Sequence, residues 1–311
     1  MRVIRADVLG MCFGVRDSLA MIDQVPAPSR VTIHGELVHN EVVQIGLQDR
    51  GFAMRTEAER KQSVPETPTV LITAHGVSDR ERQRLISAGK QLVDTTCPLV
   101  RRVHQAAQAL QAEGRFVLVI GRRGHVEVEG IIEDLESYVV IESESEVRAY
   151  PSRKLGIVCQ TTATERSVEL IRAAVAALNP GADIKFVDTV CLPTKEHQRA
   201  LENLLEKVDA VVVVGGRNSN NTRQLVARCA ERGKPAFHVQ SAADLDPAWF
   251  KTYAKVGLTA GTSTLHETID EVQRALVWIG SLVSAGDGQP GQLPHRREKA
   301  PEFDAPLAGA S

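Results

Sequence analysis

No run of apolar residues in this sequence approaches the length of a membrane-spanning helix, and the N-terminus lacks the apolar segment of a secretion signal. The chain enters instead on a strand-like Arg2-Val3-Ile4-Arg5-Ala6. Neither sign of charge dominates. The net charge is −2, which removes the usual electrostatic argument for a nucleic-acid or membrane-surface partner, so neither is expected. The five cysteines do not fall at the paired spacings of a secreted disulfide framework. They are expected to be free thiols or ligands in a reducing compartment, and the protein to be cytoplasmic. A Walker phosphate loop and a dinucleotide fingerprint are also missing, since Gly121-Arg122-Arg123-Gly124 is too short a match to count.

What is present is an ordinary globular composition, 43% hydrophobic and 24% charged over 311 residues, enough for two or three domains. Short apolar runs alternate with helical periodicity from end to end, the pattern of an α/β protein with parallel sheets. Strands are expected at 1–8, 31–34, 70–74, 91–94, 116–121, 138–141, 155–159, 184–188, 210–214, 235–239 and 256–261. Residues 56–69 are polar and proline-bearing and read as loop, as does 124–130. The pattern restarts twice. It predicts three similar α/β units with small, mainly parallel sheets around a pseudo-threefold axis: 1–93, 94–187 and 188–283, with the N-terminal strand free to pack with the third. From 284 to 311 the chain is rich in Gly, Pro, Ser and charge, and is expected to be a disordered tail.

One cysteine per unit stands at a strand-to-helix turn: Cys12, Cys97 and Cys191. Two share a local frame, Asp94-Thr95-Thr96-Cys97 and Asp188-Thr189-Val190-Cys191. Unpaired N–H groups and the positive helix end at such a turn favour the thiolate, the form that binds metal. Cys159, within an apolar strand, and Cys229, on a helix, read as core. Three thiolates suit zinc with a water, or a cubane iron–sulfur cluster with one iron open to substrate, and spacing does not separate the two.

Histidines recur in strand-end loops beside glycines or amides: His39, His75 and His125. Imidazole N–H groups are good phosphate donors. If the loop carrying Glu127 is extended, Glu127 and Glu129 point with His125, and a partly desolvated carboxyl there can keep a proton for a substrate. Asn218-Ser219-Asn220-Asn221-Thr222 precedes a helix and reads either as a cap or as an anion site. Thr161, Thr162, Thr262 and Ser263 add short donors at strand ends. Together these fit a small diphosphate ester better than a nucleotide.

The ordered set Gly10-Met11-Cys12-Phe13-Gly14-Val15, Val38-His39-Asn40, Ala74-His75-Gly76-Val77, Asp94-Thr95-Thr96-Cys97-Pro98-Leu99-Val100 and Gly124-His125-Val126-Glu127-Val128-Glu129-Gly130 resembles the LytB-type 4-hydroxy-3-methylbut-2-enyl diphosphate (HMBPP) reductase family. Gln160-Thr161-Thr162, Asp188-Thr189-Val190-Cys191, Asn218-Ser219-Asn220-Asn221 and Thr259-Ala260-Gly261-Thr262-Ser263 continue it in order, over about residues 1–282. The resemblance implies a [4Fe–4S] cluster on Cys12, Cys97 and Cys191, with one open iron. It implies a diphosphate gripped by His39, His75, His125, Ser219, Asn221 and Ser263, with Asn220 a further contact. Thr161 would orient the substrate hydroxyl and Glu127 would supply the proton. The implied reaction is a reductive dehydroxylation to isopentenyl and dimethylallyl diphosphates, fed single electrons by a ferredoxin or flavodoxin. The sequence departs from the family pattern at Val126, where Pro is usual, and at Leu192-Pro193 after the third cysteine. A paralogue acting on another hydroxylated substrate, or an iron–sulfur sensor or carrier, are the alternatives; a carrier needs no anion site.

Overall fold

Four-residue strands rich in Val, Ile and Leu set the scale of the sheets. The computed structural model describes residues 1–285, so the expected tail lies, from 286 on, outside the described residues. The chain begins with β1 (Arg2–Arg5), α1 (Phe13–Asp23), β2 (Val31–His34) and α2 (Glu41–Asp49). It continues through β3 (Ala53–Arg55), α3 (Glu57–Arg60), β4 (Thr69–Ile72), α4 (Asp79–Ser87), β5 (Gln91–Asp94) and α5 (Pro98–Ala112). Next come β6 (Phe116–Ile120), α6 (Val126–Ile132), β7 (Tyr138–Ile141), β8 (Lys154–Cys159), α7 (Glu165–Leu178) and β9 (Asp183–Phe186). The last described elements are α8 (Leu192–Leu205), β10 (Ala210–Val214), α9 (Asn220–Glu231), β11 (Ala236–Val239), β12 (Lys255–Ala260) and α10 (His266–Ala285).

Among the described residues, three four-stranded, all-parallel sheets result, and all three have one strand order: β3-β2-β4-β5, β7-β6-β8-β9 and β11-β10-β12-β1. The fourth place in the third sheet is filled by the N-terminal strand, with Arg2 opposite Lys255 and Arg5 opposite Leu258. The chain divides into two compact units. The first comprises Met1–Phe13, His39–Gly46 and the described residues from Lys195, and holds the third sheet. The second comprises Gly14–Val38 and Leu47–Thr194, and holds the other two.

Parallel strands covered by helices on both faces must be apolar throughout, and β10 is the extreme case, Ala210-Val211-Val212-Val213-Val214, all buried. One face of its sheet packs Val212, Val214 and Leu258 against Ile269, Val272 and Leu276 of α10. The other packs Val211 and Val213 against Leu201, Leu204 and Leu205 of α8 and Leu225 of α9. In the second unit, Leu118 and Ile157 meet Val168, Ile171 and Val175 of α7, while Val117, Val119 and Val158 meet Val103, Ala107 and Leu110 of α5 and Val128 and Ile131 of α6. Cys159 and Cys229 are fully buried in these cores, as expected for structural thiols.

Each of the two expected loops contains a short helix. Within 56–69, Thr56 and Glu59 form a reciprocal capping box that starts α3, a polar signal strong enough to nucleate a turn without apolar periodicity. Residues 126–132 form α6, with His125 as its N-cap: His125 Nδ1 accepts the Glu127 N–H at 3.1 Å. The extended geometry that would have aligned Glu129 with Glu127 is therefore absent. Glu129 instead pairs with Lys61 at 2.9 Å.

Candidate functional site

The three cysteines hold equivalent places in the repeat. Each follows the fourth strand of its sheet, and the backbone between strand and cysteine continues the ladder beyond the third strand. In the second unit, Thr95 N–H donates to Ile72 O (3.0 Å) and Cys97 N–H to Ala74 O (3.1 Å). Around the other sheet of that unit, Val187 N–H donates to Ile157 O and Cys191 N–H to Thr161 O, both at 2.9 Å. In the first unit, Ala6 N–H donates to Leu258 O and Cys12 N–H to Thr262 O, again both at 2.9 Å.

The shared Asp-Thr-x-Cys frame has a physical reason. Asp94 Oδ1 accepts the Thr96 N–H at 3.0 Å and Asp188 Oδ1 the Val190 N–H at 3.2 Å, each closing an Asx turn that presents the cysteine. The intervening threonine locks the turn to the neighbouring strand: Thr95 Oγ1 donates to Ile72 O at 2.7 Å, and Thr189 Oγ1 donates to Cys159 O at 2.6 Å. The Cys12 turn is made otherwise. Gly10 takes a left-handed φ of +85° and its carbonyl accepts from His197 Nε2 at 2.9 Å.

Cys97 is the N-cap residue of α5, with Pro98 in the first turn, and the nearby N–H groups of Leu99 and Val100 pull its thiol pKa down. Burial nevertheless pushes this thiol up, and the Glu127 and Asp17 carboxylates push the same way, so the donors only moderate the shift. The expectation that the turn alone favours thiolate does not hold at Cys97, because desolvation outweighs two N–H contacts. A metal would have to displace the proton. Gly14 leaves the room this sulfur occupies: a Cβ there would lie 2.5 Å from Cys97 Sγ. Cys191 Sγ stands 3.0 Å from Thr194 Oγ1. These are turn-borne, partly accessible sulfurs of the kind a cluster takes, in contrast to buried Cys159 and Cys229. Among the described residues no three His, Cys, Asp or Glu side chains gather as a single ion requires. A cubane asks for something else, a single thiolate on each iron it ties to the chain.

Four predicted site residues of the second unit come together beyond the C-terminal ends of β6 and β8, where open parallel sheets bind ligands. Glu127, 2% exposed, uses both carboxylate oxygens on one residue: Oε1 accepts the Thr161 N–H at 2.6 Å and Oε2 accepts the Thr161 hydroxyl at 2.9 Å. Thr161 passes the connection on, since its carbonyl receives the Cys191 N–H. His125 holds the Glu127 N–H, and the His75 ring meets the His125 ring edge to face at 5.7 Å. His75 precedes Gly76, whose φ of +72° and close approach to Thr96 fit only glycine.

The first unit holds the remaining predicted residues. Ser219 caps α9, its Oγ accepting the Thr222 N–H at 3.3 Å, which leaves its hydroxyl hydrogen able to donate to a ligand. Asn220 and Asn221 follow it, both buried. Asn221 Oδ1 accepts the Thr262 N–H at 3.1 Å, while its Nδ2 is buried with no hydrogen-bond partner among the described residues. An orphaned amide donor at a helix start is what an anion site requires. Ser263 Oγ lies 3.5 Å from His39 O, and Gly216 lets the β10–α9 loop pass against that same carbonyl.

Sequence reasoning gave Asn40 no role. Its amide donates to Ser263 O at 2.7 Å, and its Oδ1 caps α2 through the N–H groups of Val42 and Val43. The Asn directly before a helix pattern was the available signal. Gly14 gave none, because a glycine in a helix start says nothing of a sulfur distant in sequence.

The LytB protein family model matches residues 3–277. A 4-hydroxy-3-methylbut-2-enyl diphosphate reductase of Pelobacter propionicus is 36% identical over 276 residues, spanning 88% of this chain and 96% of the relative. The Aquifex aeolicus protein of the same name is 30% identical, spanning 91% of this chain and 99% of its own. Among solved structures, the E-1-hydroxy-2-methyl-but-2-enyl-4-diphosphate reductase from Plasmodium falciparum superposes with a TM-score of 0.79 at 25% identity, covering 95% of both chains. A second, (E)-4-hydroxy-3-methyl-but-2-enyl diphosphate reductase, described as the terminal enzyme of the non-mevalonate pathway, gives 0.61 at 28% identity, covering 89% of this chain and all of the other. With the motifs in order, one parallel sheet repeated three times and a family match over nearly all the described residues, this chain belongs to the LytB family.

Proposed function

We propose that this chain reduces 4-hydroxy-3-methylbut-2-enyl diphosphate to isopentenyl and dimethylallyl diphosphates, the reaction its relatives are named for. Two electrons and two protons enter, and the allylic hydroxyl leaves as water. Cys12, Cys97 and Cys191 hold a [4Fe–4S] cluster, and the units 1–93, 94–187 and 188–283 stand around a pseudo-threefold axis. The cluster supplies the electrons that no side chain can, and an open iron to polarise the departing hydroxyl. A ferredoxin or flavodoxin in the cytoplasm delivers the electrons one at a time.

The chain's own residues do the rest. His39, His75, His125, Ser219, Asn220, Asn221 and Ser263 bind the diphosphate, so that its binding energy positions the allyl carbon. Thr161 orients the hydroxyl end and Glu127 hands over the proton. The observation that carries this reading is the Glu127–Thr161 pair: a buried carboxylate held by both oxygens on one threonine, whose carbonyl receives the N–H of a cluster cysteine. A merely structural carboxylate does not need a hydroxyl partner beside a metal ligand.

The test is anaerobic reconstitution with iron and sulfide, followed by turnover of HMBPP with dithionite-reduced methyl viologen. Four irons per chain and formation of both isomers support the proposal. A reconstituted cluster with no consumption of HMBPP would assign the chain to another hydroxylated substrate.

A further inference from the structure

Asp94, the last residue of β5, is tied into its surroundings by four hydrogen bonds from three residues. Its Oδ1 accepts the Thr96 N–H at 3.0 Å and the Thr96 hydroxyl at 2.5 Å. Its Oδ2 accepts Arg82 Nη1 and Arg101 Nη2, each at 2.7 Å. Arg82 belongs to α4, which precedes β5. Arg101 belongs to the first turn of α5, which Cys97 caps. One carboxylate therefore ties together the helix before the strand, the turn after it and the helix beyond the cysteine.

The next residue adds a second tie: Arg102 Nη2 donates to Asp188 O at 3.3 Å, in the other Asp-Thr-x-Cys turn. Thr96 is also wedged against Gly76, where an added Cβ would lie 2.9 Å from its Cγ2. The Asx bond alone would close the turn, because Asp188 makes it to Val190 by the same geometry. Two guanidiniums on the opposite oxygen are more than turn formation requires. They fix where the turn stands relative to α4 and α5, and hence where the sulfur stands.

We infer that Asp94, braced by Arg82 and Arg101, is the positioning residue for the Cys97 thiol as an iron ligand; this rests on the assignment of Cys97 to the cluster made above. Outer partners that orient a metal ligand are typically worth about 10–100-fold in metal affinity. Asp94→Asn is the discriminating change. It keeps an oxygen for the Thr96 N–H but turns an NH2 group toward two guanidiniums. Arg101→Gln, on a half-exposed side chain, loosens the brace without threatening the fold.

The experiment measures iron release from the reconstituted full chain to a ferrous chelator under anaerobic conditions, together with the electron paramagnetic resonance spectrum of the reduced cluster. Asp94→Asn is expected to release iron about tenfold faster or more and to alter the spectrum, and Arg101→Gln to do so to a lesser degree. Glu81→Gln is the control, since it breaks ties to His34 and Arg84 in the same unit without touching the Cys97 turn. It should lower the melting temperature and leave release and spectrum unchanged. Equal release from wild type and both brace variants, or acceleration by Glu81→Gln as large as by Asp94→Asn, overturns the inference. A wild-type chain that takes up no iron overturns instead the ligand assignment beneath it.

Discussion

Replacing Glu127 by Gln separates the proton from everything else this side chain does. The carboxylate is buried and accepts two hydrogen bonds, from the Thr161 N–H and the Thr161 hydroxyl. A glutamine placed with its oxygen on the N–H keeps the first. Its NH2 then faces Oγ1, and the threonine hydroxyl, free to rotate, changes from donor to acceptor. The exchange keeps both hydrogen bonds, one of them reversed, at a cost of about 1 kcal/mol in stability. Turnover falls much further. A positioned proton donor contributes roughly 10²–10⁴-fold, so Glu127→Gln should lose that factor in kcat while binding four irons as before. Glu127→Ala behaves differently, because it leaves the buried Thr161 N–H without an acceptor and costs about 1–3 kcal/mol on that account alone. The assay is viologen-coupled HMBPP turnover beside iron content and thermal melting for both variants. Full turnover by Glu127→Gln would refute the proton role, and loss of its iron would refute the separation of roles.

Gly14→Ala should destabilise the protein despite alanine's better helix propensity, by about 1–3 kcal/mol, because the new methyl falls on Cys97 Sγ; iron uptake should drop with it, read by melting and iron assay. Asn221→Asp keeps the acceptor for the Thr262 N–H but puts a negative charge where the orphaned amide stood, and should raise KM for HMBPP about tenfold or more with a far smaller change in kcat. Cys159→Ser and Cys229→Ser, at buried thiols, should leave iron content unchanged, whereas Cys12→Ser should abolish it, because only Cys12 is among the proposed ligands. Burial would raise the Glu81 carboxyl, but hydrogen bonds from His34 and Arg84 bring it down to about 2 from an ordinary 4.5. A depressed carboxylate stabilises the fold above the unfolded value and loses that stabilisation as pH falls toward the folded one. The wild type should therefore lose roughly 2–3 kcal/mol between about pH 5 and pH 2, and Glu81→Gln should show a flatter pH dependence of urea unfolding in that range.

The parallel α/β class was legible because apolar runs such as 116–120 and 210–214 are too continuous for half-exposed strands, and helical periodicity precedes each. What could not be read was local polar structure. The Thr56–Glu59 box and the His125 cap start helices with side-chain hydrogen bonds that leave no periodic trace over four or seven residues. The cost of that omission was specific: taking 124–130 as extended grouped Glu129 with Glu127, although a helix sends them apart and Glu129 to Lys61. Val126 turns out to be the first residue of α6, a position where proline also fits a helix without loss.

The deeper regularity lies in wiring that composition does not record. Two residues past the end of the third strand of each sheet stand Ala74, Thr161 and Thr262, and the carbonyl of each receives the N–H of a cysteine. What the N–H of that residue binds is where the repeats part. At Thr161 it is the carboxylate of Glu127 and at Thr262 the amide oxygen of Asn221; Glu127 and Asn221 stand at matching places after β6 and β10. At Ala74 it is the backbone carbonyl of Leu37. One backbone scheme thus recurs at three cysteines with three different partners: a carboxyl group, an amide with a spare donor, and no side chain at all. The substrate of the proposed reaction is asymmetric in the same sense, one end needing a proton and the other hydrogen-bond donors. Exchanging the two polar occupants, Glu127→Asn with Asn221→Glu, should leave the frame folded, since each still presents an oxygen to its threonine. It should abolish turnover, because the charge then stands among the residues assigned to the diphosphate. A folded double variant that still turned over HMBPP would show that the frame, and not its occupants, carries the chemistry.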